Sequence, residues 1–269
     1  MFAFLSDFLK KNKIDCFAPI PLSSCKVLRP YLLEREGIAD GTVILLAIPY
    51  FTAAAEHADR NISAYAVSRD YHGFFKALFA ELLPLLRERY PEHRFAGFAD
   101  HSPIAETDAA ARAGLGMIGC NSMLITERYS SYVFLGEIIT DATIPCSVGE
   151  IRYCESCGAC LAACPMEKIG TCLSALTQKK GDLTAEEEQI IRSYGSAWGC
   201  DICQEVCPHT IRAIESGSIL SPIPYFAEQA ISHLTTERLQ ALSPEEFEAR
   251  AYSWRGRETI ARNLKLFSE

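Results

Sequence analysis

The chain has 269 residues, enough for one large domain or two smaller ones around a sizeable core. With 49% hydrophobic and 22% charged residues, its composition is that of an ordinary soluble globular protein. A formal net charge of −8 gives no global pull toward nucleic acid, and the longest apolar run, residues 43–51, is far too short to span a bilayer.

The opening MFAFLSDFLKKNK lacks the basic region and small-residue cleavage site of a signal peptide. Phe4, Leu5, Phe8 and Leu9 instead predict an amphipathic helix. Strands are predicted over 41–51, 94–100, 122–126 and 132–140, which are short, apolar and rich in β-branched or aromatic residues. Between the first two, residues 69–90 repeat apolar positions every three or four residues, which predicts a helix that Pro84 should kink or divide. A second helix is predicted over 103–114. Strands alternating with helices imply an α/β layer in residues 1–145. Residues 146–215 read as loop-rich, interrupted by a helix starting at Thr184, where Thr184 and Glu187 form a capping-box signature. The tail, residues 216–269, predicts two more helices, one with Ser243 as N-cap and Pro244 at its first position. Gly114, Gly116 and Gly119 match G-x-G-x-x-G, yet a helix precedes them and a strand follows, the inverse of a dinucleotide fingerprint. A tight glycine loop beside another large ligand is the better reading.

Twelve cysteines carry most of the information, eight of them between residues 154 and 207. Without a secretory signal they point to a reducing cytoplasm and a cofactor framework rather than disulfides. CESCGACLAACP supplies Cys154, Cys157, Cys160 and Cys164 followed by Pro165, the complete bacterial ferredoxin run. Two-residue gaps let three soft thiolates converge on one cubane, while the fourth points away and ligates the neighbouring cluster. GCDICQEVCP repeats the pattern one cysteine short, with Cys200, Cys203 and Cys207 before Pro208. Applying the exchange to both runs gives one cluster Cys154, Cys157, Cys160 and Cys207. The other takes Cys200, Cys203 and Cys164, and Cys172 is the one unassigned cysteine between the runs that can complete it. A pair of four-cysteine zinc sites is the alternative, but three-plus-one spacing with Cys-Pro twice favours two [4Fe–4S] clusters. Cys16, Cys25, Cys120 and Cys146 are expected to be buried free thiols.

With these features in place, the chain resembles epoxyqueuosine reductases. SRDYH (68–72), FADHSPIAE (98–106), AGLGMIG (113–119), FLGEI (134–138), CLSALT (172–177) and GCDICQEVCP (199–208) occur in the order seen in that family, over roughly residues 40 to 265. The resemblance implies a cobalamin-dependent oxidoreductase with two [4Fe–4S] clusters, related to reductive dehalogenases. It implies an α/β (α+β) corrinoid-type domain over 1–145, a ferredoxin-like double-cluster module over 146–215 and a short helical tail over 216–269. Electrons, from a low-potential donor of ferredoxin or flavodoxin type, would pass singly through the clusters to the corrinoid, which acts on the epoxide of a modified base in a tRNA anticodon. Asp100 matches the aspartate that supplies the proton, and Leu124, Leu135, Leu173 and Asp201 match corrinoid contacts.

Read without the resemblance, Asp100 would cap the helix beginning near Pro103, and the three leucines would be core. As an acid beside an apolar ring system, Asp100 would have its pKa raised. His101 reads as a surface or supporting residue. At position 120 this chain has Cys where the family usually has Lys, and it stops soon after RGRETIARNLKLF, where full-length members continue into helical repeats that contribute to tRNA binding. Binding to tRNA is therefore expected to be weak and salt-dependent, resting on Arg250, Arg255, Arg257, Arg262 and Lys265. The rival readings are a non-catalytic dicluster electron carrier and a corrinoid reductase of a small organic acceptor.

Overall fold

The computed structural model describes residues 1–166 and 170–267. Strands β1 (Phe17–Pro21), β2 (Thr42–Pro49), β3 (Phe95–Phe98) and β6 (Val133–Thr140) form one sheet in the order β1-β2-β6-β3, every neighbouring pair antiparallel. A separate two-stranded ribbon joins β4 (Met117–Ile118) to β5 (Leu124–Ile125).

All eight residues of β2 are buried, because both faces of the sheet are covered. The pleat sends Ile44, Leu46 and Ile48 to one core and Val43, Leu45 and Ala47 to the other. On the first side lie the helix Tyr71–Arg89, through Phe75, Leu78, Leu82 and Leu86, and the N-terminal helix Phe2–Lys11, through Leu5 and Leu9. Trp198, Ile260 and Leu264 join the same core, so residues from both ends of the chain share it. Helices Pro30–Glu36 and Glu106–Arg112 cover the other side. The long helix presses so closely that a Cβ on Gly136 would lie 2.4 Å from the Phe75 ring.

The α/β layer read from alternating strands and helices is built on an antiparallel sheet. Both features have one origin. β2 and β3, joined through the long helix, each run antiparallel to β6 and so parallel to each other, with the later strand inserted between them. β1 escapes sequence reading because Pro19 and Pro21 cannot donate ladder hydrogen bonds; it lies at the sheet edge, where proline is tolerated. Pro84 does not divide its helix, which runs continuously for 19 residues and is held by its buried face. The capping boxes at Thr184–Glu187 and Ser243–Glu246 both form. Among the described residues, the segment 146–215 holds five short α-helices where one was expected, and the tail holds four α-helices and a 3-10 turn, Ser253–Arg255. Among the described residues, no helix is long and apolar enough to cross a membrane.

Candidate redox and proton-transfer site

Three adjoining cavities gather nearly every residue that the sequence singled out. The first, about 340 Å³, is lined by Cys154, Cys157, Cys160 and Cys207. The second, about 490 Å³, is lined by Cys164, Cys172, Cys200 and Cys203. Each set of four draws on both cysteine runs, as the ligand exchange requires. All twelve cysteines are free thiols. Among the described residues, no three His, Cys, Asp or Glu side chains come together tightly enough for a single metal ion.

Local sequence explains the convergence. Gly158, at φ +77°, turns the chain into the helix Ala159–Ala163, which carries Cys160. Cys207 is the N-cap of the helix Pro208–Glu215, with Pro208 at its first position. Cys172 is the N-cap of the helix Leu173–Thr177 and is exposed at the second cavity. The turn between β4 and β5 wedges between the cavities, and Asn121 lines both. The glycine loop is thus beside two prospective ligands, in the inverted helix-then-strand context expected of it.

The second cavity is also lined by Leu124, Val133, Leu135, Leu173 and Asp201. All four positions expected to touch a corrinoid therefore line one cavity. The Asp201 carboxylate itself is committed elsewhere. It accepts from Arg60 Nη1 at 2.5 Å, from the Ala64 backbone N–H at 2.6 Å, from Gln204 Nε2 at 3.2 Å and from the Ser63 hydroxyl. Only the backbone of this residue remains for a ligand. Gly199, at φ +74°, permits the approach, since a Cβ there would meet Ser63 Cβ at 2.4 Å. Residues 61–63 run alongside 197–199, with the Ser63 N–H donating to the Trp198 carbonyl at 2.7 Å.

The third cavity, about 530 Å³, shares Tyr65 and Phe134 with the second and is lined by Asp70, Tyr71, His72, Asp100 and Trp254. Asp100 does not cap a helix: the nearby helix starts at Glu106 with Ala105 as N-cap. It adopts φ +68°, a conformation uncommon outside glycine, and its side chain is 65% exposed. Its Oδ2 lies 3.4 Å from His72 Nε2, and His72 Nδ1 lies 2.8 Å from Asp70 Oδ1. The rise expected for the Asp100 pKa depends on an apolar ring system beside it, and the protein's own groups pull the other way. The hydrogen bond from His72 holds its carboxyl below the usual range, outweighing desolvation. The same contact, with Asp70 behind it, raises the imidazole pKa to about 9. Tyr71 stacks on His72 with ring centroids 4.1 Å apart and on Phe134 at 4.2 Å. His101 is exposed and pairs with the Tyr31 hydroxyl at 2.9 Å.

Two sequence expectations fail here. Cys120 is exposed rather than buried and lines the first cavity beside the four cysteines. The basic patch also dissolves. Arg250 is buried, Arg257 donates to the carbonyls of Leu239, Leu242 and Ser243, and Arg262 donates to those of Lys179 and Gly181. Arg255 lies over the Trp254 ring at 3.7 Å, and only Lys265 stands fully exposed. Arg257 and Arg262 thus tie backbone segments together rather than joining one exposed face. Sequence reading also missed His72, whose role depends on acids 2 and 28 residues away, and Trp254, which is 59% exposed at the cavity rim.

A family model described as epoxyqueuosine reductase QueG, DUF1730, matches residues 39–101. The epoxyqueuosine reductase of Gloeobacter violaceus is 34% identical over 217 residues, covering 77% of this chain and 68% of that protein. That of Listeria monocytogenes is 33% identical over 206 residues, covering 72% of this chain and 53% of its own. Among solved structures, an epoxyqueuosine reductase with an epoxyqueuosine-modified tRNA-Tyr stem loop superposes with a TM-score of 0.75 at 24% identity, covering 99% of this chain and 81% of that one. The Bacillus subtilis enzyme, with its catalytic aspartate loop swung out of the active site, gives 0.71 at 24% identity over the same shares. At that identity the likeness is one of fold.

Replacing Asp201 tests the network that closes the second cavity. Asp201→Ala removes a buried partner of Arg60 and should lower unfolding free energy by about 3 kcal/mol, since Glu205 still pairs with Arg60 at 2.6 Å. Urea titration reads the change, and a loss under about 1 kcal/mol would demote the network to surface-pair strength.

Proposed function

The chain belongs to the epoxyqueuosine reductase family, and on that premise we propose that it reduces the epoxide of epoxyqueuosine in tRNA, using two [4Fe–4S] clusters and a corrinoid. One observation carries the cofactor reading: seven cysteines from two runs, with Cys172 between them, fall into two sets of four around two adjoining cavities. Soft thiolates in groups of four suit iron–sulfur ligation. Cys154, Cys157, Cys160 and Cys207 would hold the first cluster, and Cys164, Cys172, Cys200 and Cys203 the second. Leu124, Leu135, Leu173 and the Asp201 backbone would hold the corrinoid by packing and main-chain contacts. When bound, these groups supply single-electron transfer and a low-potential reductant at the substrate.

In this reading residues 1–145 are the corrinoid-type domain, 146–215 the ferredoxin-like module and 216–269 the helical tail. Twelve free thiols and oxygen-sensitive clusters suit a reducing cytoplasm, with electrons from a ferredoxin- or flavodoxin-type donor. Converting an epoxide to an alkene takes two electrons and two protons and releases water. Asp100 is the proton donor to the departing oxygen, and His72 is the reservoir behind it. In the resting pair the proton resides on His72, so Asp100 acts by receiving that proton and passing it on. Asp70 holds the imidazole ring in line. The exposed Trp254 face at the rim suits stacking of an unpaired base, the mode by which single-stranded RNA is commonly read.

Anaerobic purification with iron, sulfide and corrinoid analysis, followed by turnover of tRNA bearing the epoxide nucleoside, tests the whole proposal. About eight irons per chain are expected. Cys172→Ala should leave about half the iron or a three-iron remnant, while Cys16→Ala keeps it all. Full iron and an unchanged spectrum in the first variant would remove Cys172 from the ligand set.

Proton delivery has its own readouts. Asp100→Asn should retain corrinoid yet lose turnover by about 10²–10⁴-fold, the usual weight of general acid catalysis. A twofold loss would leave Asp100 without that role. Because the carboxylates raise the imidazole pKa, His72 keeps its proton at neutral pH and loses it as pH rises through about 9. Turnover should fall through the same range. Asp70→Asn keeps a competent helix cap but removes one carboxylate, and should move that falling limb to lower pH. An unmoved limb would assign the proton to another group.

A further inference from the structure

We infer that Cys120 is a reserve ligand for the first cluster, able to replace Cys154 on iron. This rests on the cluster reading above. Its basis is a fifth thiol in a cavity that needs four: Cys120 lines the cavity with Cys154, Cys157, Cys160 and Cys207. Cys120 Sγ lies 3.7 Å from Cys154 Sγ.

Backbone hydrogen bonds fix this proximity. The Ile118 N–H donates to the Arg152 carbonyl at 2.8 Å, and the Cys154 N–H donates to the Ile118 carbonyl at 3.0 Å. β4 therefore runs beside residues 152–154 in parallel, carrying Cys120 to the level of Cys154. Beyond it the turn is closed by the Gly119 N–H on the Met123 carbonyl at 2.9 Å and the Ser122 N–H on the Gly119 carbonyl at 2.8 Å. Cys120 is held at the cavity wall by a hydrogen-bonded ribbon rather than by a free loop.

The exchange is a ligand substitution without electron transfer. The iron–sulfur bond to Cys154 breaks, one to Cys120 forms, the Cys120 thiol releases its proton to solvent and the departing Cys154 thiolate takes one up. Iron keeps its oxidation state. Both cysteines reach solvent, Cys120 being exposed and Cys154 half-buried, so either proton has a path.

Iron content of anaerobically reconstituted full-length variants decides the matter. Wild type and Cys120→Ala should each hold about eight irons, Cys154→Ala should also hold about eight, and Cys120→Ala with Cys154→Ala should fall to about four. The remaining four irons of the double variant report that the fold and the second cluster persist. Cys154→Ala at about four irons would overturn the inference while leaving the cluster reading intact, and so would Cys120→Ala at about four, which makes Cys120 a resident ligand. Wild type without iron would instead sink the cluster reading itself. If Cys154→Ala folds poorly, Cys154→Ser serves, scored by iodoacetamide labelling. Shielding of Cys120 relative to wild type supports the exchange, and labelling to the wild-type extent overturns it.

Discussion

The Asp201 carboxylate sets the relation between the sheet and the cysteine segment. A carboxylate 2% exposed is tolerable only if its charge and lone pairs are answered, and here Arg60, Ser63, the Ala64 N–H and Gln204 answer them. Three of those donors come from the stretch following the sheet's central β2, and the fourth from the cysteine segment itself. Meeting the needs of one buried charge therefore fixes where Cys200 and Cys203 stand relative to the sheet. Nearby contacts extend the clasp: the Ser131 hydroxyl donates to Gln204 Oε1 at 3.1 Å, and the Ser130 and Thr210 hydroxyls meet at 2.7 Å. The cavity wall made by Leu135 and Leu173 follows from this seam.

How much of this was legible in the sequence depends on the range of the interactions involved. β2 and β6 could be read because burial on both faces makes an unbroken apolar run. The cysteine sets could be read because their spacing is local and stands in the sequence itself. Strand order could not, since β6 enters between β2 and β3 through pairings far apart in sequence. Cys120 was misjudged for the same reason: its location is set by hydrogen bonds to residues 152–154. Among the basic residues of the tail, Arg257 and Arg262 looked like a surface feature until their guanidinium groups were found on backbone carbonyls. A positive charge in sequence does not tell whether it faces a phosphate or a helix end.

Asp100 shows how surroundings act on a carboxyl group. An apolar neighbourhood alone would favour its neutral form. The protonated His72 facing it favours the charged one and wins, because a charge-assisted contact outweighs partial desolvation at a half-exposed site. Asp100 takes a left-handed backbone conformation and lines the third cavity.

The interleaving of the two cysteine sets has a topological side. Each cavity is ringed by thiols from both runs, with Cys207 crossing to the first and Cys164 to the second. Anything that binds four sulfurs in one cavity also ties two distant stretches of chain into a closed loop, as a disulfide does, and removes configurational freedom from the unfolded chain. Two such knots laid across each other restrict the same intervening segment. Occupying either one shortens the search that the other still faces, so assembly of the pair is cooperative through the polymer rather than through any contact between the bound groups.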